Sequence, residues 1–291
     1  MMNDVPWLFL VLLSAAIHPF RDFALKGNHN PLASYFGYTA VWIVLGFLQS
    51  LIMGHALVLP PDVWWLLSVS VFGLVLYYFG TLEALKRGDL SVYYPIIRSS
   101  PVVVLAFSWL VLSQTFGLMV VAGVALVFVG TLLLQKPKQG LLSDPRSLLL
   151  AVLAMVGSAG YTLSDASAMS LVSPSVYLFY TYIFVGLGLG AILIWQNRKD
   201  AAWVSQLWKG WSLQPHRTLF AGVMAYSSYM LILIAFQNGA NAASVSAVRQ
   251  ASIPISVILG AVLLHETSML RRLKWASLIA VGIALIAYFE G

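Results

Sequence analysis

The chain contains no cysteine, which excludes a disulfide framework, a thiolate metal site and a cysteine nucleophile. Charge is scarce as well: 9% of the 291 residues are Asp, Glu, Lys or Arg, whereas 60% are hydrophobic. Soluble domains carry roughly 25% charged residues, and a chain this apolar would expose aggregating patches in water, so a bilayer is the solvent that suits it. Five histidines occur without a His-Glu-x-x-His pattern, and neither a Gly-x-Ser-x-Gly elbow nor a phosphate-binding P-loop is found. Gly186, Gly188 and Gly190 do not follow a strand and read as close helix packing. The sequence therefore points away from an enzyme, and no cofactor or metal site is expected. The N-terminal Met1-Met2-Asn3-Asp4 places no Lys or Arg before the first apolar run. That run outlasts a signal-peptide core, so it reads as a retained membrane helix.

Long apolar runs are what the chain has in quantity. A membrane-spanning helix needs ~20 mostly apolar residues, and ten such spans are expected: 5–25, 32–54, 62–85, 90–112, 115–135, 147–171, 174–196, 217–237, 242–264 and 269–289. Breakers such as Asn30-Pro31, Pro60-Pro61-Asp62, Gly88-Asp89, Lys136-Pro137 and Ser173-Pro174 separate them. Connections this short make neighbouring helices antiparallel. The longest connection, 197–216, holds Trp203, Leu207, Trp208 and Trp211 among polar residues. It reads as a short helix lying in the membrane interface, with an irregular loop as the alternative.

The formal charge of +6 is spread over short loops rather than gathered into a nucleic-acid-binding face. Thirteen of the 16 basic residues fall in odd-numbered connections or at the span ends that adjoin them, and the even connections and termini hold none. The positive-inside rule then puts odd connections in the cytoplasm and both termini outside. Because five is odd, a second five-span unit must enter the membrane upside down. The sequence carries traces of such a duplication. Ala84-Leu-Lys-Arg-Gly88 parallels Ala235-Phe-Gln-Asn-Gly239, and an arginine follows each glycine by ten residues, at Arg98 and Arg249. Gln114-Thr115 and Gly130 recur in the same order as Glu266-Thr267 and Gly282. The expected architecture is an all-α integral membrane protein: a first five-helix repeat over 1–135, a cytoplasmic linker over 136–146 and a second repeat over 147–291.

Three arginines lie inside spans, where an unpaired charge costs ~2.5–3.5 kcal/mol on insertion scales and therefore faces protein or water. Arg98 lies ~12 Å into span 4, and Arg249 lies a similar distance into span 9 from the opposite side. An in-plane pseudo-two-fold axis would bring both to a central cavity as clamps for carboxylate or phosphate; pairing with a helix carboxylate or snorkelling is the structural alternative. Arg21 belongs to the cluster His18-Pro19-Phe20-Arg21-Asp22 in span 1. His18 and Asp22 share a helix face, so this cluster either contributes to the site or sits solvated at the cytoplasmic edge. Tyr78, Tyr94, Tyr161, Tyr229 and Gln250 complete the candidate substrate-binding set. Asp22, His18, Glu83 and Asp165 are candidate proton carriers. Glu83 is placed near the cytoplasmic surface and Asp165 toward the outer side of span 6. Pro95, Pro101 and Pro254 predict bends in spans 4 and 9.

Three segments carry a family resemblance: Arg87-Gly-Asp-Leu-Ser-Val-Tyr-Tyr-Pro95 running on to Arg98, Tyr161-Thr-Leu-Ser-Asp165, and Ala247-Val-Arg249 followed by Gly260-Ala-Val-Leu-Leu-His-Glu266. In these the chain resembles the drug/metabolite transporter superfamily, specifically its EamA-type ten-helix members. One subgroup reads His-Ala-Ser-Trp-Asn where this chain has His18-Pro19-Phe20-Arg21-Asp22. The resemblance implies a central cavity lined by spans 1, 3, 4, 6, 8 and 9, working by alternating access. Relatives export amino acids, other metabolites and opine-type metallophores, and others move nucleotide sugars, choline or drugs. Three arginines favour an anionic or zwitterionic metabolite as partner, in a bacterial inner membrane and without nucleic acid. The leading expectation is an exporter of an amino-acid-like or multi-carboxylate solute. Uptake of a phosphonate or other organic anion is the alternative, and a lipid-carrier flippase or an intramembrane enzyme would be a different class.

The native absence of cysteine makes the topology directly testable. A single cysteine at Lys138 is expected to resist a membrane-impermeant maleimide in intact cells, and one at Asp62 to react. Equal labelling of both would contradict the assigned orientation.

Overall fold

The computed structural model describes residues 5–25, 31–87, 90–134, 144–200, 203–255 and 269–290. Among these residues all regular structure is helical. In chain order the helices are α1 (Trp7–Leu25), α2 (Pro31–Ile52), α3 (Val63–Arg87), α4 (Leu90–Ile97), α5 (Ser100–Leu110), α6 (Leu118–Leu134), α7 (Pro145–Ala168), α8 (Pro174–Asn197), α9 (Trp203–Leu213), α10 (Pro215–Gln237) and α11 (Ala242–Val248). A 3-10 turn (Arg249–Ala251) continues α11, and α12 covers Met269–Glu290. Five helices, α2, α3, α7, α8 and α10, are long and apolar enough to cross a membrane, and α6 and much of α1 are shorter apolar helices. The outer surface fits that solvent: Trp65, Phe72, Leu110, Leu118 and Leu187 are all exposed, an apolar coat that lipid covers without cost.

Local chemistry sets the helix ends. Proline opens α7, α8 and α10, where its fixed φ suits a first turn whose N–H groups lack partners anyway. Asp144 caps α7, accepting from the Arg146 amide at 3.0 Å and the Ser147 hydroxyl at 2.6 Å. Asn241 caps α11, accepting from the Ala243 amide at 2.8 Å. Gly239, at φ +86°, closes α10. The amides of Gly239 and Ala240 bond back to Phe236 and Ala235, the paired bonds of a Schellman ending.

Two expected spans are interrupted, each at its arginine. Span 4 is two helices, α4 and α5, with Arg98 and Ser99 between them. Pro101 has no N–H to give the Ile97 carbonyl, so the first helix stops there. Span 9 tightens into the 3-10 turn at Arg249, four to five residues ahead of Pro254, which likewise leaves the Gln250 carbonyl without its helical donor. Its expected stretch 256–264 lies outside the described residues. Span 6 ends at Ala168, and the connection 197–216 does contain a helix, α9. Trp211 anchors α9 by donating to the Gly37 carbonyl at 3.0 Å.

The main packing partners are α1 with α10, α2 with α8, α3 with α7, α5 with α11 and α6 with α12. In hydrocarbon these contacts draw on close van der Waals fit and interhelical hydrogen bonds rather than on exclusion of water. Small residues supply the fit: Gly73 faces Gly157, and Gly123 faces Gly282. Serines add bonds, Ser14 to Ser228 at 2.9 Å, Ser50 to Ser175 at 3.0 Å and Ser158 to Ser100 at 3.2 Å. A Cβ at Gly157 would stand 2.6 Å from the Gly73 carbonyl oxygen, whereas one at Gly160 meets nothing within 4 Å. Gly157→Ala is therefore expected to destabilise the protein by about 1–3 kcal/mol, and Gly160→Ala to be neutral. Thermal unfolding of the two variants in detergent checks the contrast.

Candidate functional site

The two interrupted spans meet at a polar cavity of about 30 Å³. Arg98 and Ser100 reach it from the α4–α5 break, Ser246, Arg249 and Gln250 from the end of α11, His18 from α1, Tyr77 from α3, and Ser158, Tyr161 and Thr162 from α7. Among the described residues Ile97 is the one aliphatic side chain in the lining, and no carboxylate belongs to it. The volume admits a single water or a comparably small ion.

A tyrosine outside the lining backs each guanidinium. Arg98 donates twice to the Tyr94 hydroxyl, Nη2 at 2.7 Å and Nε at 3.0 Å. Its guanidinium carbon lies 5.1 Å from that ring's centre. Arg249 lies 5.4 Å above the Tyr229 ring, within cation–π range, and Tyr161 is set against it. Gln250 ties the two breaks together, its Nε2 donating to the Arg98 carbonyl at 3.3 Å. Its Oε1 is buried without a hydrogen-bond partner. Because only the NH2 end of an amide side chain can donate to a carbonyl, this bond assigns the other end as oxygen.

The cavity thus gathers Arg98, Arg249, Tyr161, Gln250 and His18 from the sequence-based set, with Tyr94 and Tyr229 behind the arginines. Other candidates lie elsewhere. Arg21 is buried, 6.0 Å from the centre of the Tyr35 ring, rather than solvated at a membrane edge. Tyr78 bonds to the Tyr182 hydroxyl at 2.9 Å, and Tyr182 stacks on Trp42 with 3.7 Å between ring centres. Glu83 accepts from Gln196 at 3.3 Å in a surface cleft shared with Trp195, Arg198 and Lys199. The side chain of Asp22 lies outside the described residues. Among the described residues no group of His, Asp and Glu is arranged to hold a metal ion.

Asp165 differs most from expectation, being 0% exposed rather than solvated toward the outer side. Tyr177 from α8 donates to its Oδ1 at 2.7 Å, and Tyr229 from α10 donates to its Oδ2. The carboxylate therefore pins three helices, and Tyr229 touches both it and Arg249. Tyr177 and the cavity's Ser100, Ser158, Thr162 and Ser246 were missed from sequence, since serine, threonine and tyrosine are common in packed membrane helices. One signal was available: Ser14-Ala15, four residues before His18, recurs as Ser158-Ala159 before Thr162. Asp165→Ala leaves two buried hydroxyls without an acceptor and is expected to cost about 1–3 kcal/mol each. The unfolding temperature should fall well below that of Asp165→Asn, which keeps an acceptor oxygen.

Comparison with known proteins follows the same lines. Residues 5–135 and 145–288 match the EamA-like transporter family. A solved crystal structure of a protein superposes with a TM-score of 0.72 at 16% identity, covering 97% of this chain and 98% of the other, a likeness of fold. No match was found among curated proteins. Two matched stretches that together span nearly the whole chain, on an apolar helical bundle, place this protein in the EamA-like transporter family of multi-pass membrane proteins.

Proposed function

We propose that the chain is a secondary-active carrier that exports an amino-acid-like or multi-carboxylate metabolite by alternating access. The observation that carries this reading is the convergence of Arg98 and Arg249 on one cavity, with no carboxylate among the described residues that line it. Paired guanidiniums suit carboxylate or phosph(on)ate oxygens and disfavour a cationic drug. The free acceptor at Gln250 Oε1 adds a place for an N–H of the cargo, as an amino group would supply. At about 30 Å³ the cavity is far smaller than the ~300–1,000 Å³ of ordinary ligand pockets. Cargo entry therefore requires the helices to separate, consistent with a cycle that opens to one side and then the other.

The proposed frame is ten spans in two inverted halves, in a bacterial inner membrane, with both termini outside. Helix packing supports it. Numbering the expected spans, 3 packs on 6 and 8 on 1, while 2 packs on 7, 4 on 9 and 5 on 10, a pattern unchanged when the halves are exchanged. Individual contacts exchange too: Thr39 faces Gly186 as Phe179 faces Gly46, at one constant offset along the chain. The stretches matched by the family divide near the expected linker.

Protein reconstituted in liposomes loaded with unlabelled solute should accumulate labelled glutamate or succinate by counterflow and ignore choline. Arg98→Ala and Arg249→Ala should each lower the rate about tenfold or more, the loss of a charge-assisted hydrogen bond worth ~1.5–3 kcal/mol. Choline counterflow, or full activity in both variants, contradicts the reading. Methylphosphonate in the same assay tests the uptake alternative, because guanidiniums serve both anions. Concentrative entry into right-side-out vesicles would then reverse the assigned direction.

A further inference from the structure

Asp165 and Arg249 are opposite charges in one apolar bundle, and Tyr229 touches both. The hydroxyl of Tyr229 donates to Asp165, and its ring lies beneath the Arg249 guanidinium at 5.4 Å. Asp165 is 0% exposed. The groups that face it are Tyr177 from α8, Tyr229 from α10, the Ser70 hydroxyl from α3 and the charge of Arg249. Tyr161, on its own helix, packs edge-on against Tyr229 with 6.1 Å between ring centres. Tyr229 is thus the contact through which the carboxylate and the guanidinium are joined.

We infer that Asp165 is the proton site of the transport cycle and that Tyr229 links it to cargo held at Arg249, so that anion and proton are carried together. The inference rests on the reading of the cavity as an anion site. A cargo carboxylate against Arg249 supplies its counter-charge. Two anions then share one cation where water cannot screen them, and charge balance in the apolar bundle is restored when Asp165 binds a proton. The proton comes from water on the side where the cavity opens and leaves with the cargo on the other. Burial of Asp165 behind two tyrosine hydroxyls keeps the proton from exchanging while the cavity is closed. For a cargo of one net negative charge the step is electroneutral, and its direction follows the combined gradients of solute and proton. A metabolite accumulated inside the cell by biosynthesis leaves with its proton.

The test measures proton uptake on binding. Detergent-purified protein in weakly buffered solution with a pH-sensitive dye is mixed with succinate, and bound radiolabelled succinate is counted in parallel. Wild type should take up protons in proportion to bound succinate. Asp165→Asn should bind succinate with uptake reduced at least fivefold. Tyr229→Phe, which keeps the ring under Arg249 but loses the bond to Asp165, should bind succinate with uptake at least halved. This second variant keeps the test decisive if Asp165→Asn does not fold. Succinate binding without proton uptake by wild type overturns the inference and leaves the anion site standing. Undiminished uptake in the folded variants does the same, and its loss in His18→Gln would move the proton to His18. Absence of succinate binding to wild type overturns the anion reading itself, and the inference with it.

Discussion

A guanidinium inside a hydrocarbon-solvated bundle must be answered by the protein around it, and this chain brings two of them, each half-buried, to one place. Neither can be stripped of partners without a cost of several kcal/mol. The local structure is organised to provide them. Both expected spans that carry these arginines are interrupted at the arginine itself, which brings polar backbone and side chains to the cavity at a depth where irregular backbone survives only inside protein. Tyr94 and Tyr229 back the two guanidiniums, and Gln250 fastens one break to the other. The glycine and serine contacts around this centre let the helices approach closely enough to enclose it.

The bundle is balanced but not symmetric in its charges. The recurrence of Ser14-Ala15 as Ser158-Ala159 sets Arg21 of α1 opposite Asp165 of α7 in the alignment of the two halves. One half therefore presents a buried cation among Tyr35, Tyr38 and Tyr78, and the other a buried anion between Tyr177 and Tyr229. In the proposed cycle, two halves that differ in charge would offer cargo two unlike environments as the bundle opens to either side.

Much of this was legible in the sequence because membrane helices obey counting rules. Hydropathy placed α2, α3, α7, α8 and α10 within a few residues, and the tryptophans of 197–216 announced α9. The equal spacing of Arg98 and Arg249 from Gly88 and Gly239 pointed to the pair that lines the cavity. Hydropathy runs unbroken across Arg98-Ser99, however, so one helix was expected where two exist; Pro101 announced a bend, and the lost donor made it a break. Asp165 was misplaced for a related reason. Distance along a helix gives depth in the membrane but not cover, and the cover comes from Tyr177 and Tyr229 on other helices. Of the cavity's serines and threonines, Ser158 and Thr162 carry a mark in the recurrence of Ser14-Ala15 ahead of His18, whereas nothing in the sequence separates Ser100 and Ser246 from packing residues.

The central claim is that Arg98 and Arg249 form one anion site, and anomalous diffraction tests it most directly. Crystals grown with selenate should show a single strong anomalous peak between the two guanidiniums, in a cavity widened by parting of the helices around it, and lost in crystals of Arg249→Gln. Selenate bound only at the loops, or a cavity that stays empty of it while the crystals hold it elsewhere, would contradict the account.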